Sequence, residues 1–573
     1  MQLTKGAIGN LINRYKAVLK KCHLMNTFGS LAVAGMLVMG GAGMAVAADP
    51  DVALKGQNTY DSEKNPSVNH LMGGWLVKDA ATAGDAKGDI TLTVNGGNIS
   101  EIIGGSYAKG LTANGESLLT VKHGDITTTI SGDKTTSAEF VVGGSKVAGG
   151  AGANLETGNI SLTINDGTFG KSDNTNAYEL VMGGNYLKAS TGDVNVNNTA
   201  AAENITVNIR GGKFDTSVTG GSVAHVYGSG DKKQVLSVTD ASTSVTITGG
   251  TFNPSKSSLA NDKGGINLKA AVIGGGLAYG ANTSSVLDAG SSVTIDGEKT
   301  VVNGKVVAGS VVAEGGYAAV VHGNTTLTMQ NGTVSDDLIG GGMVQDAANL
   351  TATTAGAETG EDPNAQKQPD HNLIVTGNAG VTVAGGTATG EIVGGNYVRG
   401  NGSARVENSS VTITSGTFSP DTANKAQYVI GGNKSMAYTG DTAKTLVEKD
   451  SGVLVDGAVK IVDGAVVGGS MAKAENDGKA TATVEGNSSV TVNNATSLAG
   501  VVGGGIAETY TTAGGALPSP KLRAPLSWPS MAVPSRVSPT ALLQAMPVRL
   551  PLPLWAAAWP MAKGLPPVSP TRM

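Results

Sequence analysis

Cysteine is almost missing from this chain of 573 residues: Cys22 is the only one, so no disulfide framework and no thiolate metal cluster can be built. Aromatic residues number only 22, and only six of the 19 prolines lie before residue 517. The six histidines, at 23, 70, 123, 225, 322 and 371, lack the close spacing of metal ligands and have no carboxylate pattern beside them. We expect no metal, no cofactor and no catalytic residue on these grounds. Long amphipathic helices are missing after residue 48, which excludes compact helical units. Acidic residues are missing from the first 47 positions, which hold Lys5, Arg14, Lys16, Lys20 and Lys21.

What is abundant is glycine, 85 residues of it, with Val, Thr, Ser, Asn and Ala. Twelve times a short apolar pair runs into a double glycine or a close variant, as in Val272-Ile273-Gly274-Gly275. The pairs begin at 73, 104, 143, 183, 220, 274, 340, 394, 431, 468 and 503, with Ala308-Gly309 as a degenerate member, so neighbours stand 31 to 54 residues apart. A repeat of that length marks a solenoid or similar array. Between the pairs stand phrases such as Ser244-Val-Thr-Ile-Thr-Gly-Gly-Thr-Phe252, whose alternation of polar and branched apolar residues reads as a strand with one buried face. The turns that follow, at Asn95-Gly-Gly97, Asp166-Gly167, Gly249-Gly250 and Ser415-Gly416, suit left-handed corners. Phe169, Phe214, Phe252 and Phe418 recur at one place after the corner, so an internal ladder of rings is expected.

The fold class that fits is all-β, a right-handed parallel β-helix of glycine-rich strand-turn modules. Tandem hexapeptides of a left-handed helix and calcium-binding nonapeptides are both missing. Taking about 20 residues per coil, the body from 48 to 515 makes roughly 23 coils and a rod of about 110 Å. A polar insert near 345–378, containing Thr359-Gly-Glu-Asp-Pro-Asn-Ala-Gln-Lys-Gln-Pro-Asp-His371, reads as a projecting loop and a first candidate contact surface.

Residues 1–47 read as an extended, basic signal peptide, with an apolar run from about Leu31 to Val46 and Ala45-Val46-Ala47 as the cleavage site. Cys22 precedes that run and leaves with it. Residues 48–515 carry 29 basic against 45 acidic side chains, a balance that repels nucleic acid and anionic lipid. From about 516 the composition changes abruptly: 13 prolines and three of the four tryptophans fall there, with no acidic residue and no repeat. The codons behind Trp528-Pro-Ser-Met-Ala-Val-Pro-Ser535 and Trp555-Ala-Ala-Ala-Trp-Pro-Met-Ala562, read one base earlier, permit a strand-turn phrase and a copy of Gly274-Gly-Gly-Leu-Ala-Tyr-Gly280. Residues 516–573 are accordingly read as an out-of-frame, disordered tail; the alternative is a genuine proline-rich linker.

Two short strings resemble catalytic motifs. Lys449-Asp450-Ser451-Gly452 is similar to a serine-protease turn with its leading glycine replaced, and reads as a solvated turn. Gly274-Gly-Gly-Leu-Ala-Tyr-Gly280 has no following helix and so lacks the dipole a phosphate loop uses. Sites of the form Asn-x-Ser/Thr, including Asn324, Asn331, Asn408 and Asn487, are frequent and read as chance in an Asn- and Thr-rich chain.

The leader Asn13-Arg-Tyr-Lys-Ala-Val-Leu-Lys-Lys-Cys22, the thiol-free glycine repeats and the acidic body together resemble the passenger region of a Gram-negative autotransporter. That resemblance implies a surface-displayed right-handed β-helix, adhesion or surface shielding, and coil-by-coil folding outside the cell. It also implies export by the Sec machinery to the cell surface, outer membrane or medium, with a host or cell-surface glycan or protein as partner. The family's C-terminal membrane barrel would appear as alternating strands of about ten residues, and none ends this chain, so no membrane insertion by this chain itself is expected and a periplasmic location is the alternative. Rival readings are a β-helix enzyme acting on polysaccharide and a non-functional frameshifted remnant.

Overall fold

The computed structural model describes residues 51–56, 59–60, 67–78, 83, 87–109, 119–132, 135–148, 153–170, 180–190, 197–228, 234–254, 268, 270–347, 371–419 and 427–510. The leader, the bulk of the polar insert and the tail lie outside them. The described residues form a parallel β-helix. Every strand pairing is parallel, and strands at the same place in successive repeats stack in register, as Val207 on Val245 on Val293.

A rung has five stretches. The threonine strand, exemplified by Ser291–Ile295, is followed by a glycine turn and a short strand such as Thr251–Phe252. Next come the strand before the glycine pair, such as Ala270–Ile273, then the pair itself, and the strand after it, such as Leu277–Tyr279. A return strand such as Thr283–Leu287 closes the circuit. The strands after the glycine pair form a separate sheet of twelve, one per rung.

One glycine pair therefore equals one whole rung, which corrects the expectation of 20-residue coils. Ser244 of the threonine strand meets Ser292, and Gly274 bonds across to Val307. The strand-turn phrase and the glycine pair are two sides of the same rung, not two coils. Twelve rungs rising about 4.8 Å each span roughly 50–55 Å, half the length expected.

Alternating residues of the threonine, short and pre-glycine strands point inward to one continuous core that includes Val245, Ile247, Phe252 and Val272. The expected ring ladder is present: Phe169, Phe214 and Phe252 stack with centroids 5.0 and 4.6 Å apart. Val302 and Val334 continue that column, and Phe418 rejoins it after Ala388. The post-glycine and return strands enclose smaller apolar clusters of their own, such as that of Leu187, Leu155 and Leu236.

Glycine acts in two different ways here. At the turns after the threonine strand it supplies positive φ, +132° at Gly167 and +100° at Gly250, as the sequence leads one to expect. The glycine pairs need something else, which is proximity. A Cβ on Gly104 would lie 2.1 Å from the Gly143 carbonyl oxygen, and one on Gly143 would lie 2.1 Å from that of Gly183. Glycine stands at this corner in every rung but that of Ala308, and from Gly73 to Gly468 a Cβ on it would lie within 2.7 Å of the next rung's carbonyl oxygen. At the last described rung the same place is open, with nothing within 4 Å of a Cβ on Gly503.

Gly104→Ala should therefore destabilise the solenoid by about 3 kcal/mol or more, whereas Gly503→Ala should stay within about 0.5 kcal/mol. Guanidinium denaturation read together with amide exchange would separate the two, and equal effects would disprove the proximity argument.

Candidate binding face at the glycine corner

The residue after each glycine pair is serine or asparagine in most rungs, and the chain needs an acceptor there. The amide of that residue points along the axis, outside the sheet ladder. Ser145 Oγ accepts from the Ser106 amide at 3.0 Å, Asn185 Oδ1 from Ser145 at 2.8 Å, and Ser222 Oγ from Asn185 at 2.9 Å. In the next rung Gly276 has no side chain to offer. Asp240 of the return strand takes its place, accepting from the Ser222 amide at 2.8 Å and hydroxyl at 2.6 Å. Burial raises its carboxyl to about 6, and Asp288 nearby adds to the rise while the Ser222 bonds oppose it.

A second ladder holds the exposed corner before the threonine strand. Asp125 Oδ1 accepts from the Asn159 amide at 2.9 Å, Asn324 Oδ1 from Asn378 at 2.9 Å and Asp450 Oδ1 from Asn487 at 2.8 Å. Asn324, Asn408 and Asn487, each the first residue of an Asn-x-Ser/Thr site, all take part in this ladder. The protease-like string resolves in the same way. Asp450 is a rung of this ladder, and the Ser451 hydroxyl is buried, donating to the Gly468 carbonyl at 2.8 Å.

The outward side of the threonine strands is flat and nearly free of charge. Thr246, Thr294 and Thr328 stack in one row beside Ser244, Ser292 and Thr326 in the next. Such hydroxyls satisfy strand propensity and hydration together.

Chemistry concentrates elsewhere, in the inner angle where the pre- and post-glycine strands turn toward each other. An apolar cluster distinct from the main core fills it, with Ile103, Val142, Ile273 and Met343 at the base. Aromatic and charged side chains from both strands line it. Phe140 packs on Tyr186 at 5.1 Å, and His70 on Tyr107 at 5.1 Å. Lys146 forms an ion pair with Glu101 while its ammonium lies 4.8 Å from the centre of the Tyr107 ring. His70 joins that pair, with Nε2 3.4 Å from Glu101 and Nδ1 2.6 Å from Asp51.

A second charged group sits further along the same angle. Lys305 contacts Asp337 at 2.5 Å and Asp336 at 2.7 Å, and Lys434 pairs with Glu391. Both ammonium groups flank the Tyr397 ring, at 5.5 and 4.8 Å. Burial pushes Asp337 upward, but the Lys305 ammonium, with Lys434 beyond it, outweighs this and holds the carboxyl at about 2. Burial, together with the charge of Asp337, keeps Glu391 above its ordinary value in spite of Lys434.

These residues were not singled out by sequence reasoning. Their signal is positional: Glu101, Lys305, Asp337 and Glu391 each precede the apolar residues before a glycine pair or its Ala308-Gly309 variant, where the other rungs place mostly apolar side chains. The part of the polar insert from Leu373 onward belongs to a strand of the body, Leu373–Val383, and residues 348–370 lie outside the described residues. Among the described residues no group of three or more His, Cys, Asp or Glu is arranged to hold a metal ion. Compared with known proteins, the chain matches no family model, no curated protein and no solved structure.

Two outcomes follow from this geometry. Asp240 has a raised carboxyl, so its stabilising contribution is complete below its ordinary value of 3.8 and is lost as pH climbs through about 6. Asp240→Asn keeps an acceptor for Ser222 and should erase about 3 kcal/mol of that pH dependence in chemical-denaturation curves taken between pH 4 and 7. Lys305→Met strands a buried carboxylate and should cost about 3–5 kcal/mol, while Lys305→Met combined with Asp337→Leu should recover most of it.

Proposed function

We propose that this chain is an exported, surface-displayed structural and adhesive β-helix of the autotransporter-passenger kind. The observation that carries the reading is the distribution of side chains. Eight of the chain's twelve tyrosines, at 107, 186, 227, 279, 397, 428, 438 and 510, sit on the strands that form the angle or at their ends, and Tyr107, Tyr186, Tyr279 and Tyr397 are buried there. The remainder of the solenoid presents hydroxyls, amides and acidic groups. A rigid stack that repeats outward rows of hydroxyls from rung to rung, as at Ser244, Ser292 and Thr326, suits many weak contacts along an extended partner.

The basic leader and its cleavage site support export, and the thiol-free body suits passage through an oxidising compartment in an extended state. A polysaccharide-cleaving reading needs a pair of carboxylates with divided roles. Glu101, Asp337 and Glu391 instead each hold a buried lysine, which makes them structural ion pairs and not an acid and a base.

The chain recovered from the outer surface or medium of an expressing bacterium should begin at Ala48. N-terminal sequencing would show this, and protein found in the cytosol with residues 1–47 intact would refute export. Beads coated with that protein should adhere to glycan-bearing surfaces, and coated beads no stickier than bare ones would refute adhesion.

A further inference from the structure

We infer that the C-terminal end of the solenoid is a docking edge for one further rung, a glycine-rich segment encoded one base out of phase across positions 516–573. The two ends of the described body differ. The first rung is met by strands of two residues, Val52–Ala53 and Thr59–Tyr60, and short strands are one way in which a sheet edge is blunted. The last rung consists of Lys479–Val484, Ser488–Val502 and Ile506–Tyr510, and among the described residues no strand pairs with their far sides. Ser488–Val502 runs for 15 residues with neither charge nor proline, the composition of a covered strand.

Its inward side chains lie open. Val466 is fully buried, whereas Val501, its partner one rung on, is 53% exposed. Val490, Val492, Ala495 and Leu498 are only partly buried against the main core. A Cβ on Gly500, Gly503 or Gly504 would meet nothing within 4 Å, although at every earlier glycine pair the rung that follows fills the same corner.

The genetic code names the occupant. Read one base earlier, Ala532, Ala556 and Ala562 each give way to glycine, and Pro529 and Pro560 to alanine, because Trp and Met have single codons and Ala and Pro fix their first two bases. Trp528, Trp555 and Trp559 each give way to Leu, Met or Val. Laid on 245–252 and 273–280, these forced residues put glycine at the places of Gly249, Gly274 and Gly280 and alanine at that of Ala278. They put an apolar side chain at the buried places of Val245, Ile273 and Leu277. The other forced alanine falls at the outward place of Thr246.

Register agrees with composition. The out-of-phase strand begins 38 positions after Val490, the same step as from Val207 to Val245. Its glycine pair begins 53 positions after Gly503, against 54 from Gly220 to Gly274. One complete rung is spelled out, with strand and corner at the places that the open edge provides.

The test is amide exchange and binding of the full chain with a synthetic peptide that translates its gene one base earlier across codons 516–573, beside a peptide of residues 516–573. The out-of-phase peptide should bind and slow exchange in Ser488–Val502 and Ile506–Tyr510 by roughly tenfold or more, with no change in Ile90–Val94. Val501→Lys should weaken that binding by roughly tenfold while the chain alone melts as before. In a chain whose frame is restored from codon 516, Gly503→Ala should lower the melting temperature, since that corner then faces a carbonyl. No slowing of exchange, equal slowing by the peptide of residues 516–573, an edge already protected in a dimer or by the chain's own tail, an unaffected Val501→Lys variant, or a restored-frame chain indifferent to Gly503→Ala would each overturn the assignment.

Discussion

Contact between backbones, with no side chain between them, is the constraint on which the molecule rests. From Gly73 to Gly468 a glycine at the corner faces the carbonyl oxygen of the next rung so closely that a Cβ would lie within 2.7 Å of it, and Ala308 is the one variant. Once the corner closes, strand spacing is fixed on both sides of it, and the inward valines and isoleucines come into register without further instruction. The burial this permits is large, but it is secondary in logic: apolar columns of mixed Phe, Val and Ala are tolerated, whereas nearly every rung keeps its glycines.

The same corner creates a problem of hydrogen bonding and, in solving it, a surface. Turning the chain leaves amides that the ladder cannot use, and a buried unpaired amide is costly. Serine and asparagine after the glycine pair, and Asp or Asn before the threonine strand, answer that need from the neighbouring rung. Turning the chain also folds two strand faces toward each other outside the main core. That inner angle is where a solenoid of otherwise plain composition buries lysines against carboxylates and rings.

Much of the fold was legible. The period-two pattern of Ser244-Val-Thr-Ile247 gave strands, Gly167 and Gly250 gave left-handed turns, and Phe169, Phe214 and Phe252 gave the ring ladder. The rung length was misjudged because two apolar strand signals within one repeat look the same whether they lie on one rung or two. Only pairing distinguishes Ser244 against Ser292 from Ser244 against the glycine pair that follows. The site was hardly legible at all. Lys146 and Glu101 are 45 residues apart, and nothing in their local sequence announces that a turn without side chains sets them face to face. Asp240 is similar, since its role follows from what Gly276, in another strand, cannot supply.

The polar column behind the glycines has a consequence for how such a protein changes over generations. Where serine or asparagine follows the glycine pair, a rung gives one neighbour the same kind of acceptor that it takes from the other, so the joints between such rungs are interchangeable. A duplicated or deleted repeat would heal at that seam, altering reach in whole steps and leaving the remaining architecture intact. Gly276 marks an exception, a seam patched from the side by a carboxylate, and there the register of inheritance is tied to one particular partner.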